Sequence, residues 1–200
     1  MKDSYQHLAR PPRDSASPLV FAFHGTGGDQ HQFDTLVRDL LPDAGLVAPL
    51  GDVSEAGAAR FFRRTGEGVY DMDDLARATG KMAGFVAAHC AEAPDNPVYA
   101  LGYSNGANIL AAVMMAQPAL FDRVALLHPL IPWAPAPQPG LSGRPVLVTA
   151  GARDPICPWP LTAQFTDWLQ EQGAAVTLEH HPGGHEIRQQ ELAALAQFLQ

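Results

Sequence analysis

Val98-Tyr99-Ala100-Leu101-Gly102-Tyr103-Ser104-Asn105-Gly106-Ala107-Asn108 decides the architecture of this chain. Its first half, Val98 to Gly102, is a short apolar run with the composition of a buried strand. From Asn105 to about Ala116 the residues are helix formers rich in Ala and Met. Between the two, Gly102-Tyr103-Ser104-Asn105-Gly106 matches G-x-S-x-G in a strand–turn–helix setting. A strand that turns abruptly into a helix strains the backbone at Ser104 and crowds it with the residues two before and two after. Side chains at 102 and 106 would collide there, so glycine fits both. The helix start then aims free N–H groups and the positive end of its dipole at charge developing beside the serine. The bland alternative is a tight turn capped by Ser104.

Outward from this point, short apolar runs alternate with segments of helical period, the pattern of a parallel sheet covered by helices. Strands are read at Leu19–Phe23, Leu46–Leu50, Val98–Gly102, Arg123–Leu127, Pro145–Ala150 and Ala175–His180. Helices are read at Gln32–Leu41, Asp71 to about Cys90, Asn105–Ala116, Pro160–Gln172 and Glu186–Gln200. Residues 1–17 read as an extended arm or a marginal edge strand, and Gly51–Tyr70 and Pro129–Gly143 as irregular. Right-handed crossovers then predict a doubly wound, mostly parallel α/β sheet of about six or seven strands with helices on both faces. Reactive groups belong at the C-terminal ends of its strands.

At 200 residues the chain reads as one domain, 1–200, with no room for a large cap domain. Its 13 basic and 21 acidic residues give a formal charge of -8, and no Lys/Arg cluster resembles a phosphate-tracking face, which argues against a nucleic-acid partner. No run approaches a membrane span, and the polar N-terminus lacks the apolar core of a signal peptide. The two cysteines, Cys90 and Cys157, suggest no disulfide framework. Together these point to a cytoplasmic protein.

A serine hydroxyl needs a base within hydrogen-bond reach and a third group to orient that base. In this kind of sheet the order is Ser, then Asp/Glu, then His. Asp154 stands after the strand Pro145–Ala150 in Gly151-Ala152-Arg153-Asp154-Pro155. His185 follows the last strand in Pro182-Gly183-Gly184-His185-Glu186. Their alternatives are a turn cap or Arg153 partner for Asp154 and a surface or N-cap role for His185. His180 and His181 compete in chain order only. Being adjacent in a strand they point to opposite faces, which also argues against a metal site with His185, so none is expected. Oxyanion donors are read as the backbone N–H of Asn105 and that of Thr26, with Gly27 as alternate. The loop His24–Asp29 lacks the Lys-Ser/Thr pair and glycine spacing of a phosphate-binding loop. His24 itself reads as structural.

Four blocks carry a resemblance to a known family. They are His24–Asp29, Arg60–Arg64 with Glu67–Asp71, Gly102–Asn108, and Gly151–Asp154 with Gly183–Glu186. From residue 19 onward the chain resembles the bacterial phospholipase/carboxylesterase family of α/β-hydrolases, smaller relatives of acyl-protein thioesterases. The resemblance implies carboxylic ester hydrolysis on a small-molecule ester, with no metal and no organic cofactor. It also implies the same triad and oxyanion donors. It is compatible with a homodimer, although no heptad or apolar edge argues for one. One departure stands out: the strand after the nucleophile helix often ends in Arg-Pro in this family, and here it is His128-Pro129.

Phe61, Phe62, Trp133, Ile156 and Trp159 lie in loops near the predicted mouth and are candidates to line an acyl or alcohol pocket. Taken singly, each is more often core than ligand-facing. Arg63 or Arg64 could draw in a substrate carboxylate, or be solvated. The leading reading is a serine carboxylesterase for small to medium esters. A thioesterase or lysophospholipase for longer acyl chains is the alternative among enzymes, and a catalytically inactive binding protein the alternative outside them. A dienelactone-type hydrolase would carry Cys where this chain has Ser104.

Overall fold

Seven strands form the central sheet of the computed structural model, which describes residues 1–200. In chain order the strands of the whole molecule are β1 (His7–Arg10), β2 (Leu19–Phe23), β3 (Gly45–Pro49), β4 (Val53–Glu55), β5 (Ala58–Arg60), β6 (Arg64–Gly66), β7 (Val69–Tyr70), β8 (Val98–Tyr103), β9 (Arg123–Leu127), β10 (Pro145–Gly151) and β11 (Ala175–His181). The large sheet runs β1-β3-β2-β8-β9-β10-β11. All of its pairs are parallel except β1 with β3, where His7 faces Pro49 and Arg10 faces Leu46. The N-terminal arm is therefore an antiparallel edge strand. Turning at β2–β8 reverses the strand order, the arrangement in which ligands bind beyond the carboxyl ends.

The helices are α1 (Asp34–Leu40), α2 (Met72–Cys90), α3 (Asn105–Ala116), α4 (Trp159–Glu171) and α5 (Gln189–Leu199). Successive strand residues point to opposite faces, and the core divides accordingly. Phe21, Phe23, Val47, Ala100, Val124, Leu126, Val146 and Val148 pack beneath α2, α3 and α4. Val20, Ala22, Leu46, Ala48, Leu101, Ala125 and Leu147 pack with Val37 of α1 and Leu195 and Leu199 of α5. The third helix is buried from Asn105 to Met114, which explains why its sequence carries almost no polar face. The second starts on Asp71, whose side chain accepts from the Asp74 N–H at 3.0 Å, a cap worth about 1 kcal/mol. No helix is long and apolar enough to cross a membrane.

Residues 51–70, read from sequence as irregular, instead fold as two hairpins, β4–β5 and β6–β7. Strands of two or three residues are too short to show a period. The first hairpin turns through Ala56 and Gly57, both left-handed (φ 50° and 89°). Of the Pro129–Gly143 segment only a single turn of 3₁₀ helix, Pro139–Leu141, is regular. The remaining elements fall where the periodicity places them, with ends shifted by a turn or less.

Candidate active site

The sheet's C-terminal edge collects the chemistry. At the end of β8 the chain enters α3 through Ser104, a non-glycine residue at φ 53°, ψ -118°. This left-handed φ is the strain expected of the turn. A Cβ on Gly102 would lie 2.6 Å from the Gly106 carbonyl oxygen, as the sequence suggests. One on Gly106 would lie 2.2 Å from the Phe23 oxygen and 2.5 Å from that of His24. The second glycine is thus dictated by β2, the neighbouring strand. Ser104 is tied to β9 by its N–H, which donates to the Leu127 carbonyl at 2.9 Å.

Asp154 and His185 come from the loops after β10 and β11. The loops touch because Gly151 has no side chain; a Cβ there would lie 2.0 Å from the Gly184 oxygen. Ala152 and Arg153 amides donate to the His181 and Gly183 carbonyls, which fixes one loop on the other. His185 Nδ1 lies 2.7 Å from Asp154 Oδ2 and its Nε2 lies 2.9 Å from Ser104 Oγ. An ionised carboxylate only accepts, so the imidazole proton sits on Nδ1 and Nε2 is free to accept from the serine hydroxyl. Tyr103 Oη donates to the His185 carbonyl at 2.7 Å, a restraint on the histidine loop that no pattern along the chain announces.

Asp154 is buried and fully engaged. Its Oδ1 accepts the Ile156 and Cys157 N–H groups at 2.8 Å each, and its Oδ2 faces both His185 and His128. Burial alone would raise this carboxyl, but the bonds from His128, His185 and the Cys157 amide outweigh it and hold it well below the usual carboxylate range.

Around Ser104 the Thr26 N–H makes no hydrogen bond within the protein, and Asn105 supplies the first N–H of α3. Gly27 is excluded as the alternate donor, since its N–H is committed to the Ala59 carbonyl at 3.0 Å. Thr26 Oγ1 accepts from Arg60 at 2.8 Å. His24 is structural: buried, its Nε2 accepts the Gly51 N–H at 2.9 Å and its Nδ1 donates to the Gly25 carbonyl at 2.6 Å. The two asparagines of the Gly102–Asn108 block dock loops onto α3. Asn105 Oδ1 accepts the Phe61 N–H, and Asn108 binds the Leu130 N–H and the Tyr70 hydroxyl.

The cleft beside Ser104 is small, about 40 Å³, and Arg60, Arg64, Glu67, Tyr70, Leu130, Ile156 and Cys157 complete its walls with Thr26 and the two asparagines. Two of the sequence's lining candidates, Ile156 and Arg64, are there. Arg64 is held by Glu55 at 2.9 and 3.1 Å. The others are not. Phe61 and Phe62 are fully buried, edge-on to Phe23 and Tyr70 respectively, because the hairpins fold them inward as core. Arg63 points outward to Asp71 and Asp74. Trp133 packs edge-on against Tyr70 over a separate groove, and Trp159 stacks on exposed His180 at 3.8 Å. Arg60, four residues upstream of Arg64, is one of several wall residues that the sequence reading passed over, with Glu67, Tyr70, Leu130 and Cys157.

Three further residues behind Asp154, namely His128, His181 and Glu191, also escaped it. His128, fully buried at φ 51°, lies 2.9 Å from Asp154 through Nδ1 and 2.9 Å from Glu191 Oε1 through Nε2. It faces the protein interior and offers nothing to a substrate anion. His181, read as core or surface filler, is buried with Nε2 2.9 Å from Glu191 Oε2. The two Nε2–Glu191 approaches are close ion-pair contacts without the alignment of a hydrogen bond.

A mostly parallel sheet with a serine on a strand–turn–helix elbow, and an acid and a histidine on later strand ends, defines an α/β-hydrolase. Comparison with known proteins narrows the class. The model of the dienelactone hydrolase family matches residues 6–191, and the chain belongs to that family. A Bacillus subtilis (strain 168) protein named "Putative hydrolase MhqD" is 34% identical over 181 residues, 90% of each chain. The structure of Atu2452 from Agrobacterium tumefaciens str. C58, of unknown function, is similar with a TM-score of 0.92 at 54% identity, covering 99% of this chain and 97% of that one. A Bacillus cereus carboxylesterase gives 0.89 at 28% identity, over 98% and 93%. The protein is a hydrolase of the dienelactone hydrolase and carboxylesterase type. Its elbow carries Ser104 where a dienelactone-type enzyme was expected to carry cysteine.

Proposed function

We propose that the protein is a serine carboxylesterase hydrolysing small to medium carboxylic esters through Ser104, His185 and Asp154. The observation that carries this reading is the continuous contact from Ser104 Oγ to His185 Nε2 (2.9 Å) and from His185 Nδ1 to Asp154 Oδ2 (2.7 Å), beside two unclaimed amides. In the first step Ser104 Oγ attacks the ester carbonyl while His185 Nε2 takes its proton. The Thr26 and Asn105 N–H groups receive the oxyanion, and losing one such donor costs roughly 10²–10³ in rate. His185 then returns its proton to the leaving alcohol. Water repeats the sequence on the acyl-enzyme, and His185 ends neutral.

Substrate size follows from the cleft. The cleft is narrow and its walls are largely polar, which supports a short acyl group or a compact alcohol over a long chain. The two apolar grooves flanking Trp133 share no wall residue with it. This favours a small-ester carboxylesterase over the thioesterase or lysophospholipase alternative. Hydrolysis of p-nitrophenyl acetate and butyrate by the wild type and Ser104→Ala, with a fluorophosphonate probe on both, tests the reading. Turnover and labelling should vanish together in the variant. A folded wild type that neither turns over nor labels would end the serine-esterase proposal.

A further inference from the structure

The histidine at the end of β9 is placed for a task of its own. His128 ends β9, and its ring is wedged between Asp154 from the loop after β10 and Glu191 in the first turn of α5. Both carboxylates are saturated by other donors. Asp154 accepts the Ile156 and Cys157 amides and His185. Glu191 accepts Thr149 Oγ1 at 2.5 Å and the Arg188 N–H at 2.7 Å, and faces His181 Nε2. Gly183 N–H donates to His181 Nδ1 at 3.0 Å, so the proton of that ring sits on Nε2, aimed at Glu191. A proton on each nitrogen of His128 gives both acids a further donor, at 2.9 Å in each case.

A metal in place of these protons is disfavoured by spacing. Two ligands held 2.0–2.1 Å from a tetrahedral ion would lie about 3.4 Å apart. Here the His128–Glu191 and His181–Glu191 pairs close to 2.9 Å each.

We propose that His128 is a positioning residue: held as an imidazolium between Asp154 and Glu191, it places the acid limb of the enzyme's pH profile through the Asp154 oxygen that it shares with His185. The inference rests on the triad reading above. The His128 ring lies 5.2 Å from that of His185, on the far side of the same Asp154 oxygen. Its charge opposes a second positive charge on His185 in the free enzyme and occupies part of the Asp154 field. Other groups around the two rings change this little. Tyr103 is an uncharged phenol edge-on to His128, Cys157 Sγ donates to the His128 carbonyl, and exposed Glu186 is paired with Arg188. Burial opposes the charge on His128, but its two carboxylate partners prevail and lift it to about 9. Two unit charges at that separation, in a medium of effective dielectric about 20, shift a titration by about two pH units.

The test is the pH profile of kcat/KM for p-nitrophenyl acetate in the wild type, His128→Asn and His128→Asn/Glu191→Gln. Asparagine tolerates the left-handed backbone at 128, and its amide nitrogen can replace Nδ1 against Asp154 without the charge. The acid limb should move up by about two pH units in the single variant and less, in the same direction, in the double variant. An unmoved limb in folded variants would reduce His128 to packing and overturn the proposal. The double variant removes the stranded Glu191 charge should the single one fail to fold. Nitrogen NMR of the wild type reads the same point without turnover. Two protonated nitrogens on His128 between about pH 5 and 8 support the assignment, and a neutral ring overturns it even if Ser104→Ala has upheld the esterase reading.

Discussion

Replacing Gly106 with alanine isolates the elbow as a rigid device, because the added methyl meets backbone alone. Its Cβ would sit 2.2 Å from the Phe23 oxygen and 2.5 Å from that of His24, so α3 must retreat from β2 by about 1 Å to restore ordinary contact. The Asn105 N–H travels with α3, whereas Thr26 stays with the β2 loop, pinned by the Gly27–Ala59 bond and the Arg60–Thr26 bond. The two amides thus separate by about the same distance, and a misplacement of that size costs on the order of 10²-fold. Overpacking a tight site costs a further ~1–3 kcal/mol of stability. With p-nitrophenyl butyrate, Gly106→Ala should lose about 10²–10³ in kcat with little change in KM, since the donors act mainly on the transition state. Its melting temperature should drop by several degrees. A folded Gly106→Ala enzyme within about threefold of wild-type kcat would refute the argument that the β2–α3 approach fixes the oxyanion geometry.

Tyr103→Phe removes one hydrogen bond to the His185 carbonyl, worth about 1 kcal/mol, and should lower kcat roughly fivefold while leaving fluorophosphonate labelling detectable. Arg64→Ala should alter the ratio of rates on acid-bearing and neutral esters, whereas Arg63→Ala, outside the cleft, should leave it unchanged; equal effects would contradict the placement of the two side chains. A p-nitrophenyl ester series should peak at short acyl chains, and a maximum beyond about ten carbons would favour the lysophospholipase alternative. Stability should also report on His128. A value raised from 6.5 to about 9 on folding contributes fully below pH 6.5 and is lost as pH climbs through 9, by up to about 3 kcal/mol. Melting curves from pH 6 to 10 should fall more steeply for the wild type than for His128→Asn/Glu191→Gln, and parallel curves would count against a charged His128.

The residues that were legible in sequence are those whose placement depends on local backbone. Strand–turn–helix periodicity located Ser104, and the steric demand of the turn explained Gly102. Chain order then selected Asp154 and His185, although 81 residues separate His185 from the serine it meets. The hairpins of 51–70 were invisible because two- or three-residue strands carry no period, so Phe61 and Phe62 stood as pocket wall or core, and only the folded hairpins show them to be core. Gly106 looked like half of a local clash, and only the packing of α3 on β2 shows that a different strand forbids its side chain. Nothing in the sequence singles out Glu191, and His128 stands out only as the residue before Pro129 at the end of a strand. Their meeting depends on how α5 docks against the ends of β9, β10 and β11. The sequence by itself determined the order of the layers and the triad candidates, since local periodicity and right-handed crossovers leave few alternatives. Which buried charges face one another was decided by tertiary packing alone, because electrostatic contact depends on distances in space that no spacing along the chain encodes.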